Sequence, residues 1–117
     1  MSHHVIMPIR LTSAAACAIA LLFAAPALAQ QAAEVHLSYS NGAFQPSVVR
    51  APADHPVVFR VKNLDAKAME FESKSLRVEK VVAGNSEGVI NVRALKPGRY
   101  EFYDDFNQKA RGALTVQ

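Results

Sequence analysis

Val57-Val58-Phe59-Arg60-Val61-Lys62 is the stretch from which the fold is read. Val57, Phe59 and Val61 alternate with Val58, Arg60 and Lys62, the period-two pattern of a strand that buries one face. Asn63-Leu64-Asp65 closes it. Moving upstream, Val35, Leu37 and Tyr39 alternate with His36, Ser38 and Ser40 up to the turn pair Asn41-Gly42. Phe44-Gln45-Pro46 then bends the chain, residues 47–50 read as a short strand, and the proline-bearing residues 51–56 as a loop. Downstream, extended segments are expected over residues 67–73, 77–82, 89–94, 100–104 and 112–116. Lys96-Pro97-Gly98-Arg99 predicts a type II turn, because Pro presets the first central residue and Gly supplies a positive φ at the second. One helical turn within residues 106–110 is the sole helical candidate. About seven or eight short strands and no amphipathic helix mean an all-β fold, an antiparallel sandwich or small barrel.

The first thirty residues or so are a different kind of polymer. Arg10 gives a positive flank, residues 11–23 form an alanine- and leucine-rich apolar run, and Ala27-Leu28-Ala29 is a small-x-small cleavage pattern, so residues 1–29 read as a secretory signal peptide. The run is short for a membrane span, which takes about 20 residues. Residues 30–117 are then expected to form one exported domain without membrane insertion after cleavage, long enough for one core and not two.

Composition removes several classes of function. Of 13 Lys and Arg, one lies in the leader, and the remainder face 10 Asp and Glu with the signs interspersed. Neither a nucleic-acid arm nor a polybasic membrane patch is present. Cys17 is the single cysteine and falls inside the apolar run. The domain therefore has no thiol for a disulfide, a nucleophile, a zinc-thiolate site or a blue-copper centre. No Ser-His-Asp spacing and no Gly-rich phosphate loop supports catalysis, and a paired-carboxylate hydrolase needs a cleft for which so small a sandwich has little room.

The chemistry that remains centres on Met69-Glu70-Phe71-Glu72-Ser73. In an extended strand Glu70 and Glu72 point the same way, about 6 to 7 Å apart at their bases, so one cation can lie between them. The competing reading is a solvated acidic face neutralised by Lys67, Lys74 or Lys80, each surface pair contributing about 0 to 1 kcal/mol. Asp104 and Asp105 extend the set of oxygen donors, or form a turn at a strand end. If Met69 and Phe71 pack inward, the glutamates face outward in a shallow site. If the segment crosses the end of the sandwich, they converge with the residues after Tyr103. His36 and His55 are isolated imidazoles, and Tyr100, Phe102 and Tyr103 read as packing residues.

The order of these elements carries a resemblance: Phe44-Gln45-Pro46, a valine-rich strand ending at Asn63, Glu70-Phe71-Glu72-Ser73, Leu95-Lys96-Pro97-Gly98-Arg99-Tyr100, Asp104-Asp105-Phe106, and Gly112 with its closing strand. From about Val35 to Val116 the chain resembles the cupredoxin-like domain of periplasmic bacterial proteins associated with high-affinity iron uptake. The resemblance implies a Greek-key β-sandwich in the periplasm that binds iron or copper and serves an inner-membrane iron permease or an associated periplasmic protein. It implies Glu70 and Glu72 as metal ligands. Some relatives add cysteines at the positions of Phe44 and Asp104, and many place a histidine where this chain has Asn107. The donors left here are oxygens, with Glu70 and Glu72 joined by Asp104 or Asp105, a set suited to a hard ion such as Fe(III). A homodimer that completes the site from a second chain, and a metal-free sandwich that binds a partner protein, are the alternatives.

Overall fold

A computed structural model describes residues 31–117; the leader and Cys17 lie outside the described residues. Nine strands follow in order: β1 (Ala33–Ser40), β2 (Ala43–Gln45), β3 (Val48–Ala51), β4 (Val57–Asn63), β5 (Met69–Ser73), β6 (Val78–Val82), β7 (Ser86–Val92), β8 (Gly98–Asp104) and β9 (Asn107–Val116). They form two sheets, β2-β1-β4-β7 and β3-β9-β8-β5-β6. The chain changes sheet at β2–β3, β3–β4, β4–β5, β6–β7 and β7–β8, which is the winding of a Greek-key sandwich.

The alternation read in the sequence holds at β4, where Val57, Phe59, Val61 and Asn63 are buried, and at β1, where Val35, Leu37 and Tyr39 are. Inward-facing rings from both sheets meet in the middle. Phe71 stacks on Phe102 with centroids 5.1 Å apart, and Phe44 and Phe59 pack against both at 5.1 to 6.2 Å. Burying each ring contributes about 1.5 to 3 kcal/mol, so these four aromatics supply much of the adhesion between the layers. Gly112 is required by this packing, since a Cβ there would lie 2.4 Å from the Phe102 ring and 2.8 Å from the Ser47 carbonyl oxygen.

Four local expectations are corrected. The sheets are mixed and not purely antiparallel, because β1 pairs parallel with β4 and β3 with β9, across connections long enough to return the chain in the same sense. Residues 43–45 form a strand of their own. They fold back on β1 through Asn41 (φ 53°) and Gly42 (φ 70°), the two positive values of a type I′ hairpin. The helical turn expected within residues 106–110 is strand: Asp105 and Phe106 make the turn, and β9 begins at Asn107, opposite Asp104. Gly98 has φ 158°, close to extended and far from the roughly +80° of a type II turn, and it already pairs with Val116.

Candidate metal centre

On β5, Met69, Phe71 and Ser73 are buried while Glu70 and Glu72 are half-buried on the outer face of the five-stranded sheet. The hairpin to β6 adds a third carboxylate. Glu72 lies directly opposite Glu79, and Glu70 opposite Val81. One carboxylate oxygen from each of Glu70, Glu72 and Glu79 lies within 4.8 Å of the other two. No lysine or arginine among the described residues pairs with any of the three, so the neutralising partners Lys67, Lys74 and Lys80 are not in place.

Asp105 joins this group from the β8–β9 turn. Its backbone N–H donates to the Glu70 carbonyl at 2.9 Å, and Gln108 Nε2 donates to its Oδ1 at 3.0 Å. Partial loss of hydration, a side-chain hydrogen bond with Asp105, and the charges of Glu79, Asp105 and Glu72 together hold the Glu70 carboxyl above its ordinary pKa. Such crowding is what a bound cation relieves. Tyr103, opposite Glu72 on β8, donates its hydroxyl to Glu72 Oε2 at 3.2 Å, and the Arg111 guanidinium lies over its ring 5.0 Å from the centroid. Loss of hydration and the Glu72 charge raise the Tyr103 pKa, so it remains a neutral donor. The glutamates therefore face outward, and the residues after Tyr103 still reach them.

Asp104 is used otherwise. Only 2% exposed, it accepts the Tyr39 hydroxyl through Oδ2 and the backbone N–H groups of Glu70 and Phe106 through Oδ1, each at 2.9 Å. The bond from Tyr39 joins β1 in one sheet to β8 in the other. Burial and the Asp104 carboxylate push the Tyr39 pKa well above its ordinary value. Asn63, fully buried, does comparable work nearby. Its Nδ2 donates to the Lys67, Val82 and Ala83 carbonyls at 2.9 to 3.2 Å, and its Oδ1 accepts the Asp65 N–H at 3.0 Å. Asp65 in turn accepts the N–H groups of Asn41 at 2.8 Å and Gly42 at 3.4 Å, which fixes the β1–β2 turn.

This end of the sandwich holds a shallow pocket of about 450 Å³ whose lining includes Tyr39, Asp65, Lys67, Asp104, Phe106 and Asn107. Its donors are oxygens and amides, with no thiol or imidazole among them. Phe44 fills the core and Asp104 is hydrogen-bonded at three points, so a soft copper site does not fit here. The two histidines among the described residues lie elsewhere. His36 is exposed beside Glu34 at 3.3 Å, and His55 bonds the Ala53 carbonyl in the loop before β4.

Glu79, Tyr39 and Asn63 are the site and support residues that sequence reading did not single out. For Glu79 the missing quantity was register. The turn at residues 74–77 sets Glu72 opposite Glu79, and its left-handed residue is Arg77 (φ 60°), a type that gives no turn signal.

Two sheets of this winding, with an ordered cluster of polar groups at one end, define a cupredoxin-type sandwich. The chain belongs to the cupredoxin-like domain family, whose model matches residues 13–116. It is 34% identical to an uncharacterized protein of Rickettsia prowazekii (strain Madrid E) over 84 residues, covering 71% of this chain and 67% of that one. Among solved structures it is similar to auracyanin A, a blue copper protein of Chloroflexus aurantiacus, with TM-score 0.63 and 14% identity over 74% of this chain and all of the other (100%). It is also similar to the Cu(I)-bound metal-binding domain of the Cu(I)-exporting P-type ATPase of Streptococcus pneumoniae, with TM-score 0.62 and 16% identity over 72% of this chain and 84% of that one. At these identities the structural likenesses establish the fold.

Proposed function

We propose that this domain is a periplasmic metal-binding accessory protein of an iron-uptake system, a carrier and not a catalyst, that holds its cargo ion on the outer face of β5 and β6. The observation that carries the reading is the convergence of Glu70, Glu72 and Glu79 within 4.8 Å without a neutralising cation among the described residues. Asp105, whose backbone N–H bonds the Glu70 carbonyl, would supply a fourth oxygen, while Asp104 acts as the buried tie beneath them.

An all-oxygen set selects for charge and hardness. Fe(III) satisfies it better than Cu(I), and Cu(II) is the alternative cargo. The copper proteins among its structural relatives and the family fold support a metal-related role, and the order of motifs supports iron uptake with an inner-membrane permease as the receiving partner. An outward-facing, shallow site suits a protein that must give its ion up to that partner.

The test is metal content after equilibration of the purified protein with Fe(III) or Cu(II) and removal of free ion. About one ion per chain is expected for the native protein, with loss in Glu70→Gln/Glu72→Gln and weakening in Glu79→Gln. Negligible metal in the native protein, or equal metal in native and double variant, would overturn the reading.

A further inference from the structure

The two outer faces of the sandwich treat their charges in opposite ways. On the four-stranded sheet Arg60 pairs with Glu34 at 2.9 Å and with Glu87 at 3.6 Å, so that face neutralises itself. On the five-stranded sheet the signs are largely separated, the exceptions being Glu101 beside Arg99 and the turn residues Lys74 and Arg77 bordering Glu72 and Glu79. Glu70, Glu72, Glu79 and Asp105 occupy the corner formed by β5, β6 and the β8–β9 turn. Arg50 and Arg99 occupy β3 and β8 toward the opposite corner, where register aligns Arg50 with Thr115 and Thr115 with Arg99, and Arg111 on β9 stands level with Tyr103, one strand beyond it from Glu72. Across this whole face the one ion pair among the described residues is Arg99 with Glu101, at a loose 3.9 Å. Tyr103 lies between the two regions, and one large apolar side chain is exposed at each margin, Val48 (48%) on β3 and Val81 (54%) on β6.

We infer that this face is a self-complementary docking surface whose partner is a second copy of the same chain. A two-fold axis lying in the interface between the acidic and basic corners sets the acids of each copy against the arginines of the other, twice over. The same rotation carries Val81 of one copy toward Val48 of the other. Five strands spaced about 4.8 Å apart, over about six residues each, give a face of roughly 24 by 20 Å. Two such faces bury about 1,000 Å² in total, the low end of specific interfaces, so the dimer is weak, reversible and sensitive to salt.

The experiment is sedimentation equilibrium of the purified protein in chelator, which removes any metal and keeps the result separate from that of the metal-loading test. A monomer–dimer equilibrium is expected at low salt, with the dissociation constant rising about tenfold or more as salt goes from roughly 20 to 300 mM. Glu72→Lys/Glu79→Lys cancels the net charge of the acidic corner, where Glu70 and Asp105 remain, and Arg50→Glu/Arg99→Glu turns the arginine corner net acidic, where Arg111 remains. Each variant alone is expected to be monomeric, and an equimolar mixture of the two to form a heterodimer. Circular dichroism confirms that both variants are folded before mixing. A native protein that is monomeric at low salt, a variant that dimerises as well as the native chain, or two folded variants that do not associate would each overturn the inference.

Discussion

At the scale of single residues, Asp104 is the most informative position. Its buried carboxylate has a structural task, accepting one hydroxyl and two backbone N–H groups. Removing one partner of a buried hydrogen bond costs about 1 to 3 kcal/mol, so Asp104→Asn is expected to lower stability by that amount, as chemical denaturation would show. Asp105→Asn, on an exposed turn, is expected to change stability by less than about 0.5 kcal/mol. Tyr39→Phe tests the same tie from the other sheet. Because the folded-state pKa of Tyr39 is raised above the ordinary 10.0, its contribution is complete below pH 10.0 and lost as the pH rises beyond that value. The stability gap between native protein and Tyr39→Phe is therefore expected to narrow above pH 10. A gap that stays constant through that range would assign the effect to packing alone.

At the scale of elements, the strands were legible because a half-buried sheet writes its two faces into alternate residues. That is why Val57, Phe59 and Val61 face inward as their spacing predicts, and why Met69 and Phe71 take the inward one of the two arrangements their sequence allowed. Register was not legible, because it depends on the turns. Glu79 met Glu72 only once the turn at residues 74–77 was known, and Arg93 helps hold that turn through the carbonyls of Leu76 at 2.8 Å and Ser75 at 3.2 Å. The Tyr39–Asp104 bond was equally hidden, since its partners lie 65 residues apart in different sheets. Close approach between elements is the third thing that alternation does not encode. Gly112 sits where β9 passes under the Phe102 ring, and Gly112→Ala is expected to lower stability by about 1 to 3 kcal/mol, read from the denaturant midpoint at unchanged slope.

At the scale of the whole molecule, the proposed metal site and the proposed dimer face would share one acidic corner. A cation held by Glu70, Glu72 and Glu79 would cancel the charge that the arginines of a second copy would meet, so metal loading and dimerisation are expected to oppose each other. The coupling is reciprocal: whatever factor the metal takes from the dimerisation constant, dimerisation takes from metal affinity. Sedimentation with and without saturating Cu(II) is expected to show a larger monomer fraction in the loaded protein. An unchanged dimer would mean that the two sites do not share their carboxylates. A pairing of this kind would keep the carboxylates covered when no ion is present and expose one chain at a time to a receiving partner.

The β1–β2 turn has a consequence for the lifetime of the molecule. An asparagine followed by glycine in an exposed turn is the sequence most prone to deamidation, which begins when the glycine nitrogen loses its proton and attacks the asparagine side chain. Here the Gly42 N–H points at the Asp65 carboxylate, and the Asn41 N–H binds the same group. A negative charge at that place opposes a second one on the nitrogen, so Asn41 is expected to age slowly for its sequence. Asp65→Ala should let succinimide and isoaspartate accumulate at Asn41 during storage at mildly alkaline pH, visible by peptide mapping, and equal rates in the two proteins would show that the hairpin geometry alone sets the clock.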